Sequence, residues 1–279
     1  MLRTVLASAA CLFLAAPLAA QTLDRIKETG QLNLGFRTDA APLSFLDENG
    51  NPAGYSPIVC GEVAQNIATA LDLENLSVKF VPVDAADRFD KVVNGEIDLL
   101  CGAATITISR RAQVDFSVPT YVDGTAVMQP RDASGDLTQL AGKSVGVRSN
   151  TTTEQALNNT LSASGLEMNL VTYEDHRDGM QAMIDGDIEA YFADQSILLY
   201  LFSASQEFGN FRVSPEILSV EKQGLAMARG ATEFRLLVDG ILGEMFLSGQ
   251  MAEIFRIALP GIEPGRAMQA MYVTSPTIP

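Results

Sequence analysis

The sequence holds one histidine, three cysteines and only 19 lysines and arginines against 34 aspartates and glutamates, for a formal charge of −15. Phosphate binding needs a basic face, so this balance excludes nucleic acid as a partner and reads first as solubility. Past the leading segment no stretch reaches the ~20 charge-free apolar residues that a membrane-spanning helix requires. Also missing are the GxGxxG fingerprint, a phosphate loop, a metal-binding motif and any nucleophile–histidine–aspartate arrangement, so no cofactor or metal is expected. What is present is ordinary globular material. Apolar residues make up 47% and charged residues 19% of 279, enough for a real core in one large domain or two ordinary ones.

Residues 1–20, MLRTVLASAACLFLAAPLAA, place Arg3 before an apolar run from Val5 to about Ala16 and end in small residues. This is the pattern of a secretory signal peptide cut near Ala20, and the mature chain is then expected to be exported and soluble. A lipoprotein signal fits less well, because Cys11 lies inside the apolar run and has Ser8, not leucine, three places before it. Removing the signal leaves Cys60 and Cys101, an even pair in an oxidising setting. A structural disulfide is favoured over two buried free thiols, and a metal site would need more ligands than the lone histidine can add.

The order of elements repeats. Strand 31–37, a helix opened by Ser56-Pro57, strand 77–83, helix 85–94 closed by Asn94-Gly95 and strand 97–103 form one β-α-β-α-β series. Strand 143–148, a helix from about 152, strand 168–173, a helix from about 175 closed by Asp185-Gly186 and strand 189–194 form a second. Short text repeats with it: GFRT (35–38) parallels GVRS (146–149), and NGEID (94–98) parallels DGDIE (185–189). Two extended passages, 120–128 and 219–228, lie where a chain would cross between lobes and return. The expected fold is therefore α/β and two-lobed, each lobe a mainly parallel sheet flanked by helices and joined by two extended hinge crossovers. The divisions are 1–20 signal peptide, 21–122 first part of lobe 1, 123–223 lobe 2 and 224–279 the return to lobe 1. Ligands of open α/β sheets bind beyond the carboxyl ends of strands, so facing lobes make a cleft.

Chemistry-bearing residues cluster at those strand ends. Thr105, Thr107, Arg110 and Arg111 follow the third strand, and a guanidinium fork matches a carboxylate's two oxygens, although a solvated arginine pair would look the same. In the second series SNTTTEQ (149–155) follows a strand and opens a helix. Thr151-x-x-Glu154 fits a capping box, and free N–H groups at such a helix start also suit an anion.

Segments 35–56, 101–124, 149–155 and 190–194 resemble the periplasmic polar amino-acid-binding proteins of ABC importers, most closely the glutamate/aspartate-binding branch. The resemblance runs in order along the whole mature chain, and T-x-x-R followed by F-S-x-P is its most specific part. It implies that Arg110 and Thr105 hold the ligand α-carboxylate, with Thr151 and Thr152 reaching it from the other lobe. Asp194 would receive the α-ammonium together with a backbone carbonyl around Ala103, and Arg37 with His176 would hold a side-chain carboxylate. By themselves, His176 reads as a surface or satisfied residue and Asp194 as a helix cap. There are two departures: Ala103 replaces a hydroxyl that assists the ammonium, and Ala40 replaces the aromatic platform of basic-amino-acid binders, which argues against arginine, lysine or histidine as ligand. The implied partners are a small amino acid and the membrane permease of an importer, with a monomer as the family's default and the periplasm as its place. A cyclohexadienyl-dehydratase-like enzyme of the same fold is the alternative from another class, disfavoured because no spare cleft acid is visible to move a proton. A ligand-presenting sensory role uses the same closed form.

Overall fold

The computed structural model describes residues 22–165 and 167–275. The expected signal peptide and Cys11 lie outside them. In chain order the first part runs α1 (Thr22–Thr29), β1 (Gln31–Arg37), β2 (Asp39–Ala40), β3 (Ser44–Leu46), β4 (Pro52–Ala53), α2 (Tyr55–Ala70), β5 (Ser77–Val83), α3 (Arg88–Val93), β6 (Leu99–Leu100), α4 (Ile108–Arg111), β7 (Val114–Phe116) and β8 (Tyr121–Asp123). The middle is β9 (Thr125–Pro130), β10 (Ser144–Arg148), α5 (Thr152–Ser164), β11 (Asn169–Tyr173), α6 (His176–Asp185), β12 (Ala190–Asp194), α7 (Gln195–Ala204) and β13 (Phe211–Val213). The return is β14 (Glu221–Gln223), β15 (Ala226–Ala228), α8 (Thr232–Leu247), α9 (Gln250–Ala258) and α10 (Arg266–Thr274).

Two five-stranded sheets share one plan, β5-β1-β6-β15-β7 and β11-β10-β12-β9-β13. In each, the first three strands are parallel and the strand arriving from the other lobe, β15 or β9, adds antiparallel. The crossovers themselves pair as β8 and β14, with Asp123 opposite Glu221 and Tyr121 opposite Gln223. The short repeats in the text have a packing cause. A Cβ on Gly35 would fall 2.3 Å from Ile97 Cδ1, and one on Gly146 would fall 2.5 Å from Ile188 Cδ1. Each central strand thus needs glycine where the isoleucine of NGEID or DGDIE lies across it, so the two short matches are halves of one contact.

Burial follows the layers. Leu32, Leu34, Val59, Val63, Phe234 and Leu242 belong to the large core that α2, α8 and α9 close over the first sheet, while Val145, Val147, Ala190 and Phe192 sit in one under the second. Cys60 of α2 is bonded to Cys101, just past β6, with a Cα separation of 6.1 Å. Among the described residues no helix is long and apolar enough to cross a membrane.

Three element boundaries differ from the sequence reading. Helix α2 starts at Tyr55 with Gly54 as its cap and no side-chain cap, so Ser56 is not the N-cap. The chain passes so close to residues 42–43 that the Tyr55 and Ser56 N–H groups donate to Pro42 O (3.1 Å) and Leu43 O (2.9 Å), which satisfies them without a hydroxyl. Helix α3 begins at Arg88 instead of 85, because Asp84 Oδ1 accepts from Ala86 N (2.6 Å) and Asp87 N (3.0 Å) and folds that stretch into a turn. The strand expected over 97–103 pairs only at Leu99 and Leu100, after which Cys101 N donates to Gly35 O at 2.7 Å and the chain leaves the sheet.

Candidate functional site

The carboxyl ends of the central strands bring two arginines to one point. Arg37 ends β1 and Arg148 ends β10, the same position in the two repeats. Between them stands Asp39 of β2. Its Oδ1 accepts from Arg37 Nε at 2.7 Å, and its Oδ2 accepts from Arg148 Nε at 2.7 Å. Arg37 Nη2 lies 2.5 Å from the same Oδ1 but is not aimed to donate into it, so it is a charge contact with an unspent N–H. Burial would raise the Asp39 carboxyl, but Arg37 and Arg148 outweigh it and hold it down at about 2.

His176, the first residue of α6, is buried against this group, its Nδ1 3.0 Å from the Tyr191 hydroxyl. Burial pushes its imidazole down to about 3, so the ring is neutral at neutral pH. We assign Nδ1 as acceptor from Tyr191, which puts the proton on Nε2. A third guanidinium, Arg88, is buried alongside. It donates to Ala85 O and, across the cleft, to Asn150 O at 3.2 Å, while its Nε has no partner. Burial and the charges of Arg37, Arg110 and Arg148 push its pKa well below the usual arginine value. The Phe89 ring lies under both Arg88 and Arg110, 4.8 and 5.1 Å from their guanidinium carbons.

Toward the hinge the charges reverse. Glu221 of β14 gathers hydroxyls from every side: Thr105 (2.7 Å) and Thr152 (2.7 Å) donate to Oε2, and Ser219 (2.9 Å) and Thr125 (3.1 Å) to Oε1. Thr105 belongs to lobe 1 and Thr152 to the start of α5, so this carboxylate ties both lobes to the crossover. Asp194 accepts from Gln223 Nε2 at 2.7 Å, and Asp123 accepts from Gly124 N at 2.9 Å and from the Ser196 hydroxyl. Burial raises both carboxyls, Asp123 to about 6, and their mutual repulsion raises Asp194 further. Arg110 stands nearer this end, its guanidinium donating to Thr105 O at 2.8 Å.

Arg37, Ala103, Thr105, Arg110, Thr151, Thr152, His176 and Asp194 all line one narrow cavity between the lobes. The geometry adds detail to them. Thr151 caps α5, accepting from Glu154 N at 3.2 Å and donating to Arg148 O at 2.7 Å. The capping box is only half made, since the Glu154 carboxylate accepts from Asn150 N, not Thr151 N. Asp194 is the N-cap residue of α7 by position but makes no side-chain cap bond, which leaves its carboxylate to the Gln223 amide. Thr105 and Thr152 both give their single hydroxyl proton to Glu221.

Sequence reasoning missed Arg88, Arg148, Asp39 and Glu221. Arg148 was findable, because the parallel between GFRT and GVRS pairs it with Arg37. Asp39 and Glu221 do not line the cavity but lie behind residues that do, Asp39 held by two guanidiniums and Glu221 accepting from four hydroxyls.

The model of bacterial extracellular solute-binding proteins, family 3, matches residues 32–258. An L-glutamate/L-aspartate-binding protein of Pseudomonas aeruginosa is 30% identical over 248 residues, covering 87% of this chain and 82% of that one. A glutamate/aspartate import solute-binding protein of Escherichia coli K12 is 27% identical over 242 residues, 86% and 80% of the two chains. Among solved structures, an ancestral amino acid-binding protein described as a precursor of cyclohexadienyl dehydratase superposes with a TM-score of 0.73 at 25% identity, covering 85% of this chain and 98% of its own.

Proposed function

Because the chain belongs to the bacterial extracellular solute-binding proteins of family 3, we propose that it captures an acidic amino acid, L-glutamate or L-aspartate, in the interlobe cleft and presents it to the membrane permease of an ABC-type importer. The observation that carries this reading is the pair of buried, unspent guanidinium donors, Arg37 Nη2 and Arg88 Nε, at the end of the cleft opposite the carboxylates. A buried donor without a hydrogen bond is costly; Arg88 Nε has no partner and Arg37 Nη2 only a charge contact with Asp39, and a side-chain carboxylate on the ligand offers both an acceptor.

The roles divide along the cleft. Arg110 takes the α-carboxylate, with the start of α5 at Thr151 and Thr152 adding N–H groups from the second lobe. Asp194 and the Ala103 carbonyl take the α-ammonium. Arg37, His176 through Nε2, and Arg88 take the side-chain carboxylate. The protons of Thr105 and Thr152 are already given to Glu221, so these hydroxyls meet a ligand as acceptors and suit the ammonium better than a carboxylate. Each charge of the ligand thus finds a partner, which its transfer out of water demands.

Closure supplies the signal. Asp39–Arg148, Arg88–Asn150 and the Phe45–Tyr200 ring contact at 5.8 Å all join the lobes directly. Contacts split in this way are complete only in a shut cleft, so ligand favours the closed state by bending at the β8–β14 crossovers, and the permease would read that state. The signal-like leading segment and the family support export to the periplasm.

Calorimetry of the purified protein against the common amino acids tests the proposal. Tight binding of glutamate or aspartate is expected. Binding confined to neutral or basic amino acids would overturn the specificity, and binding of none would overturn the transport role.

A further inference from the structure

Asp39 follows Arg37 by two residues, and its side chain is 5% exposed. It is the only acidic group in contact with the two arginines that the repeat places at equivalent strand ends, among the described residues. We propose that Asp39 is a specificity-determining residue, an internal carboxylate that sets how strongly the cleft prefers a side-chain carboxylate to a neutral side-chain amide. This rests on the reading of the cleft as an amino-acid site.

The geometry gives the reason. Arg37 and Arg148 approach one point from opposite lobes, and by themselves they would form a two-guanidinium clamp for a carboxylate. Asp39 fills that clamp, with one oxygen on each Nε. Its charge also cancels one of the three positive charges at this end, while His176, being neutral, restores none. An incoming carboxylate therefore meets a weaker field and a partly occupied fork. A side-chain amide, which carries no charge, loses little by the same arrangement. The cleft should accept glutamine or asparagine beside the acids to a degree that Asp39 controls.

Removing Asp39 has two effects of opposite sign. The Asp39–Arg148 pair joins the lobes, so its loss weakens closure for every ligand alike. Loss of the negative charge, in contrast, favours acidic ligands alone. The ratio of dissociation constants for glutamine and glutamate cancels the first effect and isolates the second. A purely structural Asp39 would leave that ratio unmoved.

The experiment measures both constants by calorimetry, with glutamine read by competition where its direct binding is weak, on the wild-type protein and on Asp39→Ala and Asp39→Asn. The glutamine-to-glutamate ratio should rise by roughly tenfold in Asp39→Ala, the size of one nearby charge in a partly buried site. It should rise less in Asp39→Asn, which keeps an acceptor for Arg37. A ratio that stays within about twofold of wild type, or falls, overturns the proposal. If Asp39→Ala fails to fold by circular dichroism, the near-isosteric Asp39→Asn is judged by the same criterion. Wild-type protein that binds neither ligand overturns this inference together with the amino-acid reading, whereas wild-type binding with an unmoved ratio overturns the role of Asp39 alone.

Discussion

The two ends of the cleft solve opposite electrostatic problems with different chemistry. At one end Arg37 and Arg148 share a single carboxylate, Asp39, Arg88 beside them donates only to backbone carbonyls, and Arg88 Nε is left without a partner. At the other, Asp123, Asp194 and Glu221 share hydroxyls, backbone N–H groups and the Gln223 amide, with Arg110 as the nearby cation. Guanidiniums cannot shed their charge, so the cationic end is held together by ion pairing and by the Phe89 ring. Carboxylates can take up protons, so at the anionic end Asp123 and Asp194 relax by an upward shift of their pKa values. The lesson is that the cleft is polar along its length: excess positive charge waits at the far end, excess negative charge at the hinge. An amino acid with an acidic side chain is the complement of both.

Breaking the anchor between the two ends should cost most. In the proposed division of the cleft Arg110 serves the α-carboxylate, which every amino acid carries, so Arg110→Ala is expected to weaken all ligands by on the order of a hundredfold, as truncating one member of a buried charge pair does. Calorimetry with glutamate and glutamine side by side checks this. A loss limited to acidic ligands would place Arg110 at the wrong end.

Breaking the cationic end should cost less and should discriminate. Arg37→Ala removes a fork that, on the proposed reading, only a side-chain acceptor uses, so glutamate should weaken by about ten- to a hundredfold and glutamine by a few-fold at most. If Arg37→Ala and Arg110→Ala gave the same ligand profile, the two ends would not be functionally distinct.

How much of this contrast could be read from the sequence depends on how local each cause is. The paired β-α-β-α-β order, the two crossovers and the glycine turns at Gly95 and Gly186 were legible, because periodicity and turn residues act over a few positions. Arg37, Arg110, His176 and Asp194 were legible as a constellation only through the family resemblance; by itself His176 was one histidine among 279 residues. Asp39 and Glu221 were not legible. Asp39 is 109 residues from Arg148, and Glu221 is 116 from Thr105, and nothing in either neighbourhood shows that a carboxylate will be surrounded by donors from both lobes. The misplaced start of α2 has the same origin, since the carbonyls that satisfy it come from the loop at 42–43 and remove the need for the Ser56 hydroxyl.

The anionic end offers the smallest and most diagnostic effect, a dependence on pH. Burial raises Asp123 to about 6 and raises Asp194 as well, so below pH 6 the hinge end of the unliganded protein carries bound protons. An ammonium beside Asp194 favours the ionised carboxylate and drives protons off. Binding is therefore coupled to proton release, and affinity falls as pH drops through about 6, where Asp123 takes up its proton. The cationic end adds no opposing slope in this window, because Asp39 stays ionised down to about 2 and His176 stays neutral down to about 3. A weakening of roughly two- to tenfold between about pH 7 and pH 5 is expected, with a binding enthalpy at pH 6 that changes with the ionisation enthalpy of the buffer. Asp123→Asn should make the profile shallower and move it to lower pH, since the amide cannot titrate and no longer repels Asp194. Equal affinity across that range, with no dependence on buffer, would mean that the ammonium does not meet this carboxylate cluster, and the polarity assigned to the cleft would have to be reversed.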